Sequence, residues 1–274
     1  MNRFLFPLFF LSLIVLTGCT TRSPLEPDYE QVVIRGYLYS GEPVSDIQVT
    51  GTLPLGSQDS LAPPINDAEV TLVKNSVQYK LLPSAGDSGY YHYTGTDLTI
   101  EPGNEFRIQV SCFGRVATGG TTVPAVPQNV KLSADVLTIS ASSFPLHPGS
   151  LDSLSRLDLS WDQEADALYY VTIENVAENP EPIENFTKFR GKGPQRFISV
   201  PRSTNEFQIS RFNVTHYGRH IIKVYRVNQE YADLYISRQQ DSRDLNEPLS
   251  NIRNGLGVFS AFSSVGKVFY VKKE

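Results

Sequence analysis

The chain has 274 residues, with 14 Tyr and 15 Phe among them, enough length and aromatic volume for two ordinary domains with real cores. A formal net charge of −5 and no basic run argue against nucleic-acid binding, because a row of phosphates needs a row of cations. Two cysteines cannot build a disulfide framework, and the 4 histidines are scattered.

The first element is a targeting segment. Arg3 precedes an apolar run, Phe4–Leu16, that contains Pro7 and ends in Leu16-Thr17-Gly18-Cys19. A basic start, a short apolar stretch and small residues before a cut describe a secretory signal. The run is shorter than the roughly 20 residues a membrane-spanning helix needs. Leu-Thr-Gly-Cys resembles the lipobox at which bacterial lipoproteins are acylated on the cysteine and cut before it. Residues 1–18 are therefore expected to be a lipoprotein signal, Cys19 the lipidation site, and residues 19–29, with two prolines, a tether. Cys112 then has no partner within the chain. It shares the face of an alternating stretch with Phe106, Ile108 and Val110, which predicts a small buried hydrophobe rather than a catalytic thiolate.

Residues 30–124 read as a first β-sandwich. Strands are expected at Gln31–Ser40, Ile47–Thr52, Ala68–Lys74, Val77–Leu82, Tyr90–Tyr93, Phe106–Cys112 and Arg115–Thr122, with Gly, Pro, Asp and Asn between them. Pro124 and Pro127 mark a boundary.

Residues 125–274 read as a second sandwich. Asp135–Ser140 is a candidate first strand. Leu157, Leu159 and Trp161 alternate inward on the next, and Tyr169, Val171 and Ile173 on the one after. Phe197–Val200, Glu206–Ile209 and Arg219–Val227 continue the pattern. One helix is predicted from Glu230 to about Gln240, where Tyr231, Leu234, Tyr235 and Arg238 fall at i, i+3, i+4 and i+7. A strand at Lys267–Lys272 closes the chain. The fold class is thus all-β, two tandem β-sandwich domains with one short helix inserted near the C-terminus, at residues 230–240.

Gly41-Glu42-Pro43-Val44, Ile65–Leu72 and Gly89-Tyr90-Tyr91, in that order, resemble the carboxypeptidase-regulatory or transthyretin-like sandwich. The second half is similar to a fibronectin type III sandwich, except that His220 stands where that fold has a corner tyrosine. The lipobox, the paired sandwiches, the Tyr-bearing helix and Ser250-Asn251-Ile252-Arg253-Asn254-Gly255-Leu256-Gly257-Val258-Phe259-Ser260-Ala261-Phe262 together resemble a family of Bacteroidota lipoproteins, domain of unknown function 4249. Val258 and Ser260 depart from that family's final motif, which has an aromatic and a glycine there. The resemblance implies an envelope lipoprotein, of a kind that often accompanies outer-membrane transport proteins.

No catalytic or metal motif is legible, and no cofactor is expected. His216 and His220 are four apart but flank a turn. Asp158, Asp162, Glu164 and Asp166 surround Trp161, where a glycosidase pair is conceivable but a solvated strand face is the simpler reading. Ser60 and Ser153, in two Asp-Ser-Leu triplets, resemble bacterial O-glycosylation sites. Residues 228–266 exceed the usual hairpin length of roughly two to five residues. Gly255 and Gly257 permit a tight turn there, so Leu256, Phe259 and Phe262 are the candidate partner contact; the competing reading is structural cover over an open sandwich end.

The expectation is a non-enzymatic, lipid-anchored accessory or binding subunit for an outer-membrane, transport-type partner or its cargo. It would sit on the outer membrane, because Thr20 rather than Asp after Cys19 resembles an outer-membrane address, and on the periplasmic face, because an acidic run resembling a surface-export tag does not follow. The alternatives are a surface adhesin or carbohydrate-binding lipoprotein and, behind it, a hydrolase whose acids and histidines meet only in the fold.

Overall fold

A computed structural model of the protein describes residues 31–53, 57–139, 156–183, 196–237 and 250–274. Cys19, Ser153 and the last residues of the expected helix lie outside them. The first half contributes β1 (Val33–Tyr39), β2 (Asp46–Thr50), β3 (Glu69–Lys74), β4 (Val77–Pro83), β5 (Tyr90–His92), β6 (Glu105–Cys112) and β7 (Arg115–Thr122). The second contributes β8 (Lys131–Leu132), β9 (Val136–Ile139), β10 (Leu157–Ser160), β11 (Leu168–Asn175), β12 (Arg196–Ile198), β13 (Glu206–Ile209) and β14 (Gly218–Val227). Helix α1 (Gln229–Ser237), β15 (Ile252–Arg253) and β16 (Leu256–Lys273) complete the chain.

Among the described residues the protein is all-β with one short α-helix and a 3-10 turn at Arg211–Asn213, and its strands form two sandwiches. One sheet runs through both, in the order β12-β11-β14-β16-β1-β2-β5-β4-β3-β6-β7-β15, with β9 beside the far end of β16. In the first sandwich this sheet folds over itself at β4, whose start pairs with β3 and whose end pairs with β5. Ile34 and Leu38 of β1 thereby face Val70 and Leu72 of β3 and Ile108 and Val110 of β6, all buried. In the second, the separate sheet β13-β10-β8 covers β11, β14 and the end of β16. Leu157, Leu159 and Trp161 meet Tyr169, Val171 and Ile173 there, as their alternation predicts.

The largest departure from the sequence reading is β16. It is 18 residues long, not a short closing strand. Its first part pairs in parallel with β1, from Val33 opposite Leu256 to Tyr39 opposite Phe262. Its second part pairs antiparallel with β14, from Val227 opposite Phe262 to Gly218 opposite Val271. Ile252, Phe259 and Ala261, assigned above to the second sandwich, belong to the first core. The first sandwich therefore consists of residues 33–122 completed by β15, which pairs with β7, and by the first part of β16, which pairs with β1.

Candidate functional site

The outer face of the shared sheet carries what the two cores do not use. On β1, Tyr37 and Tyr39 alternate with buried Leu38 and so point away from the first core. Ladder pairing brings Phe262 beside Tyr39, and Tyr170 of β11 beside Tyr225 of β14. Tyr39 stacks on Phe262 at 5.1 Å, and Tyr170 on Tyr225 at 4.7 Å with the rings nearly parallel. Tyr231 of α1 packs edge-on against Phe262 at 4.8 Å. Such aromatic pairs are worth about 0.5–1.5 kcal/mol each beyond the area they bury. Burial pushes the Tyr39 and Tyr170 phenols far above the ordinary tyrosine value, with Asp46 adding to it at Tyr39 and Tyr231 at Tyr170. Neither ionises in the working range of the protein.

At one edge of this aromatic cluster the face opens into a cleft of about 340 Å³. Tyr39, Thr172 and Tyr225 contribute its more buried lining, and Glu42, Glu174, Arg196 and Lys223 its more exposed, charged part. Lys223 Nζ lies 3.8 Å from Glu42 and 6.0 Å from the Tyr225 ring centroid, while Arg196 stands opposite Glu174 on the ladder. Aromatic walls with charges of both signs make a surface for a polar, extended ligand or a protein side. A wider cavity of about 810 Å³ lies where β6 and β7 meet the start of α1. Its Glu230 accepts hydrogen bonds from Thr121 at 2.7 Å and from Ser260 and Asn228 at 3.2 Å, so this carboxylate holds the helix to the sheet.

The histidines and acids are engaged elsewhere. His220 is buried, stacks on Phe269, and bonds Gly218 through Nδ1 at 3.0 Å and Asn175 through Nε2 at 3.3 Å. Burial lowers its pKa, which fits a neutral ring donating to the Gly218 carbonyl and accepting from the Asn175 amide. This local bond is made by the residue that stands in place of the corner tyrosine of the fibronectin type III fold. His216 Nδ1 meets Thr215 Oγ1. Glu164 pairs with Arg226 at 2.7 Å, Asp162 accepts from Asn129, and Asp158 is exposed. Cys112 is half-buried against the first core, and burial pushes its thiol up. Among the described residues no three His, Cys, Asp or Glu side chains gather as a metal site, and no helix is long and apolar enough to cross a membrane.

The profile of one family, described as Domain of unknown function (DUF4249), matches residues 21–267. The chain belongs to the DUF4249 family. The comparison with curated proteins finds no match. Among solved structures, domains A168–A170 of titin are similar at 12% identity, covering 89% of this chain and 67% of that one with a TM-score of 0.24. The FN1–FN3 domains of chicken CNTN1 are similar at 13% identity, covering 74% of this chain and 60% of that one with a TM-score of 0.26.

Within this DUF4249 chain, the segment Ser250–Phe262 proves to be a clasp, which corrects its assignment as a presented contact loop. Asn251 receives the Phe259 N–H at 2.9 Å and donates to the Phe259 carbonyl at 2.7 Å and the Gly120 carbonyl at 3.1 Å. Asn254 donates to Val116, and Ser250 to the Gly257 carbonyl. Gly257 sits at φ +107°, and a Cβ there would lie 2.0 Å from the Ile34 carbonyl, so only glycine lets β16 close on β1. Phe259 is fully buried in the first core and Phe262 is buried under Tyr231, so neither can meet a partner; Leu256 is half-buried at the start of β16. Ser60 is exposed in the loop before Leu61. Tyr39, Tyr225, Arg196 and Lys223 were not singled out from the sequence. The available signal was strands apolar on both phases, as in Tyr37-Leu38-Tyr39 and Tyr169-Tyr170-Val171.

Proposed function

We propose that this protein is a non-enzymatic binding subunit, anchored to the outer membrane by lipid on Cys19, that engages an outer-membrane transport-type protein through the cleft beside Tyr39. The observation that carries the reading is the cleft itself: aromatic rings flanked by Arg196, Lys223, Glu42 and Glu174 on a sheet face shared by both sandwiches. Tyr and Arg are the side chains over-represented at protein interfaces, and paired charges at a rim select a partner more than they tighten it. The lipoprotein resemblance carried by the lipobox and residues 250–262 motivates the transport-type partner, and the sequence after Cys19 motivates the periplasmic face.

Arg196→Glu with Lys223→Glu removes both cations, makes the rim uniformly acidic and leaves both cores untouched. Affinity purification from detergent-solubilised membranes, with mass-spectrometric identification, is expected to recover an outer-membrane transport protein with the wild type and to lose it with the variant at unchanged thermal stability. Equal recovery with the variant refutes the cleft, and recovery of no such protein refutes the accessory role. The stacked tyrosines beside the cleft favour one second reading, a saccharide ligand; calorimetric binding of envelope oligosaccharides that is lost in Tyr39→Ala would establish it instead.

A further inference from the structure

We infer that the free end of the first sandwich is a membrane-seating tip, applied to the lipid headgroup and upper acyl region beside the anchor. The inference rests on the lipid-anchor reading of Cys19 and adds an orientation to it.

The topology gathers several segments at one end. Val33 begins β1 there, opposite both Leu256 and Thr50. The turn after Asn254 lies against Val32 and Val116, and the β6–β7 turn, Phe113–Gly114, directly precedes Val116. The loop after β2 returns to the same place, with Thr50 bridged to Pro64 and Gly51 bonded to Pro63. Four large apolar side chains on these segments are exposed: Leu61 at 81%, Phe113 at 50%, Val116 at 48% and Leu53 at 36%. Phe113 stands at φ 51°, a left-handed turn position where an exposed aromatic has no packing reason to be.

Two facts select lipid as the occupant. The first is where the chain enters. Val32 enters the fold at this end, and Cys19 lies thirteen residues before it, so a lipid on Cys19 is held within about 45 Å of the tip. The second sandwich, at the other end of β16, is directed away. The second fact is the charge. Exposed Arg115 and Arg253 stand among exposed Asp59, Asp67 and Asp87, a mixture that gives no field for a charged partner. An aromatic and three aliphatic side chains amid mixed charge suit the interfacial layer of a bilayer, where binding scales with apolar area. The acyl chains supply the affinity and the tip fixes the tilt. Tyr39 then stands six residues along β1 from Val33, about 20 Å above the lipid, level with the parts of a membrane protein that project from the bilayer.

The test uses the full lipidated protein in vesicles of phosphatidylethanolamine and phosphatidylglycerol. In a Cys112→Ser background, Phe113→Cys carries an environment-sensitive fluorophore; Val77→Cys, exposed at the opposite end of the same sandwich, is the control. The label at 113 is expected to emit at shorter wavelength on vesicles and to be quenched by iodide several-fold less than the label at 77. Leu61→Cys, in a loop where folding is not at stake, should report the same protection. Protein that floats with the vesicles while all three labels quench alike overturns the tip and leaves the anchor standing. Protection that requires native membranes and is missing on pure lipid assigns the tip to a protein and also overturns the inference. Failure to float removes the anchor and the tip together.

Discussion

Phe259→Ala tests whether the final motif is core or surface. The side chain is fully buried between two glycines: a Cβ on Gly36 would come within 2.8 Å of the ring at Cδ2, and one on Gly119 within 3.2 Å of Phe259 Cβ. Those positions offer no side chain that can relax into the space the ring leaves. Phe-to-Ala substitutions in cores cost about 3–5 kcal/mol, and poor collapse places this one toward the upper end. For a chain of this size that is a fall in melting temperature of roughly 8–20 °C. Thermal and urea unfolding of the full chain in detergent reads the loss. The same geometry makes a sharper claim. Gly36→Ala alone should destabilise by forcing its methyl into the Phe259 ring, yet in the Phe259→Ala background much of that cost should vanish, a non-additivity expected of touching residues. A loss within about 0.5 kcal/mol for Phe259→Ala, the size of a surface change, would refute the clasp. Strict additivity of the pair would refute the recess over Gly36.

Other expectations follow from the same structure. Trp161→Ala should cost about 3–5 kcal/mol in the second core, and an unfolding midpoint unmoved from wild type would contradict its burial. A fragment ending at residue 124 lacks Ile252, Phe259 and Ala261, so it should give the circular dichroism of an unfolded chain; a cooperative transition in it would show that β15 and β16 are dispensable. Because burial lowers the His220 pKa, the unfolded chain takes up a proton below about pH 6.5 where the folded chain does not, so this contribution is complete above that pH and shrinks as pH falls toward the folded value. His220→Gln should flatten stability against pH just below 6.5, and an unaltered slope would mean that the ring charges freely.

The strands with one wet face were legible because they alternate. Arg115–Thr122 and Glu206–Ile209 coincide with β7 and β13, and Leu157, Leu159 and Trp161 face the core they were expected to face. The first half of β16 was hidden for the opposite reason. Phe259 and Ala261 fill the first core while Ser260 and Phe262 are covered on the other side, so residues 258–262 are buried on both phases. A strand covered on both faces shows an unbroken small-and-apolar run, and its glycines suggest a loop. Partnering was illegible as well: nothing near Val33 announces that its neighbour stands at residue 256. The cleft is assembled from β1, β11, β12 and β14, and no single stretch of sequence carries its mixture of Tyr39, Thr172, Arg196 and Lys223.

The shared strand also decides how the molecule answers a pull. The chain enters β1 at the tip, and β16 leaves in the same direction as β1 toward the far end of the second sandwich. Tension between a lipid anchor before β1 and a partner held by the cleft residues of β11, β12 and β14 would therefore pass to the second sandwich through the β1–β16 ladder, in shear. All seven residue pairs, from Val33–Leu256 to Tyr39–Phe262, resist together, where a peeled hairpin would release its bonds one after another. A subunit tied at one end to lipid and at the cleft to moving machinery would keep its fold under traction, with the clasp at Asn251 and Gly257 acting as the stop that prevents the two strands from slipping past one another.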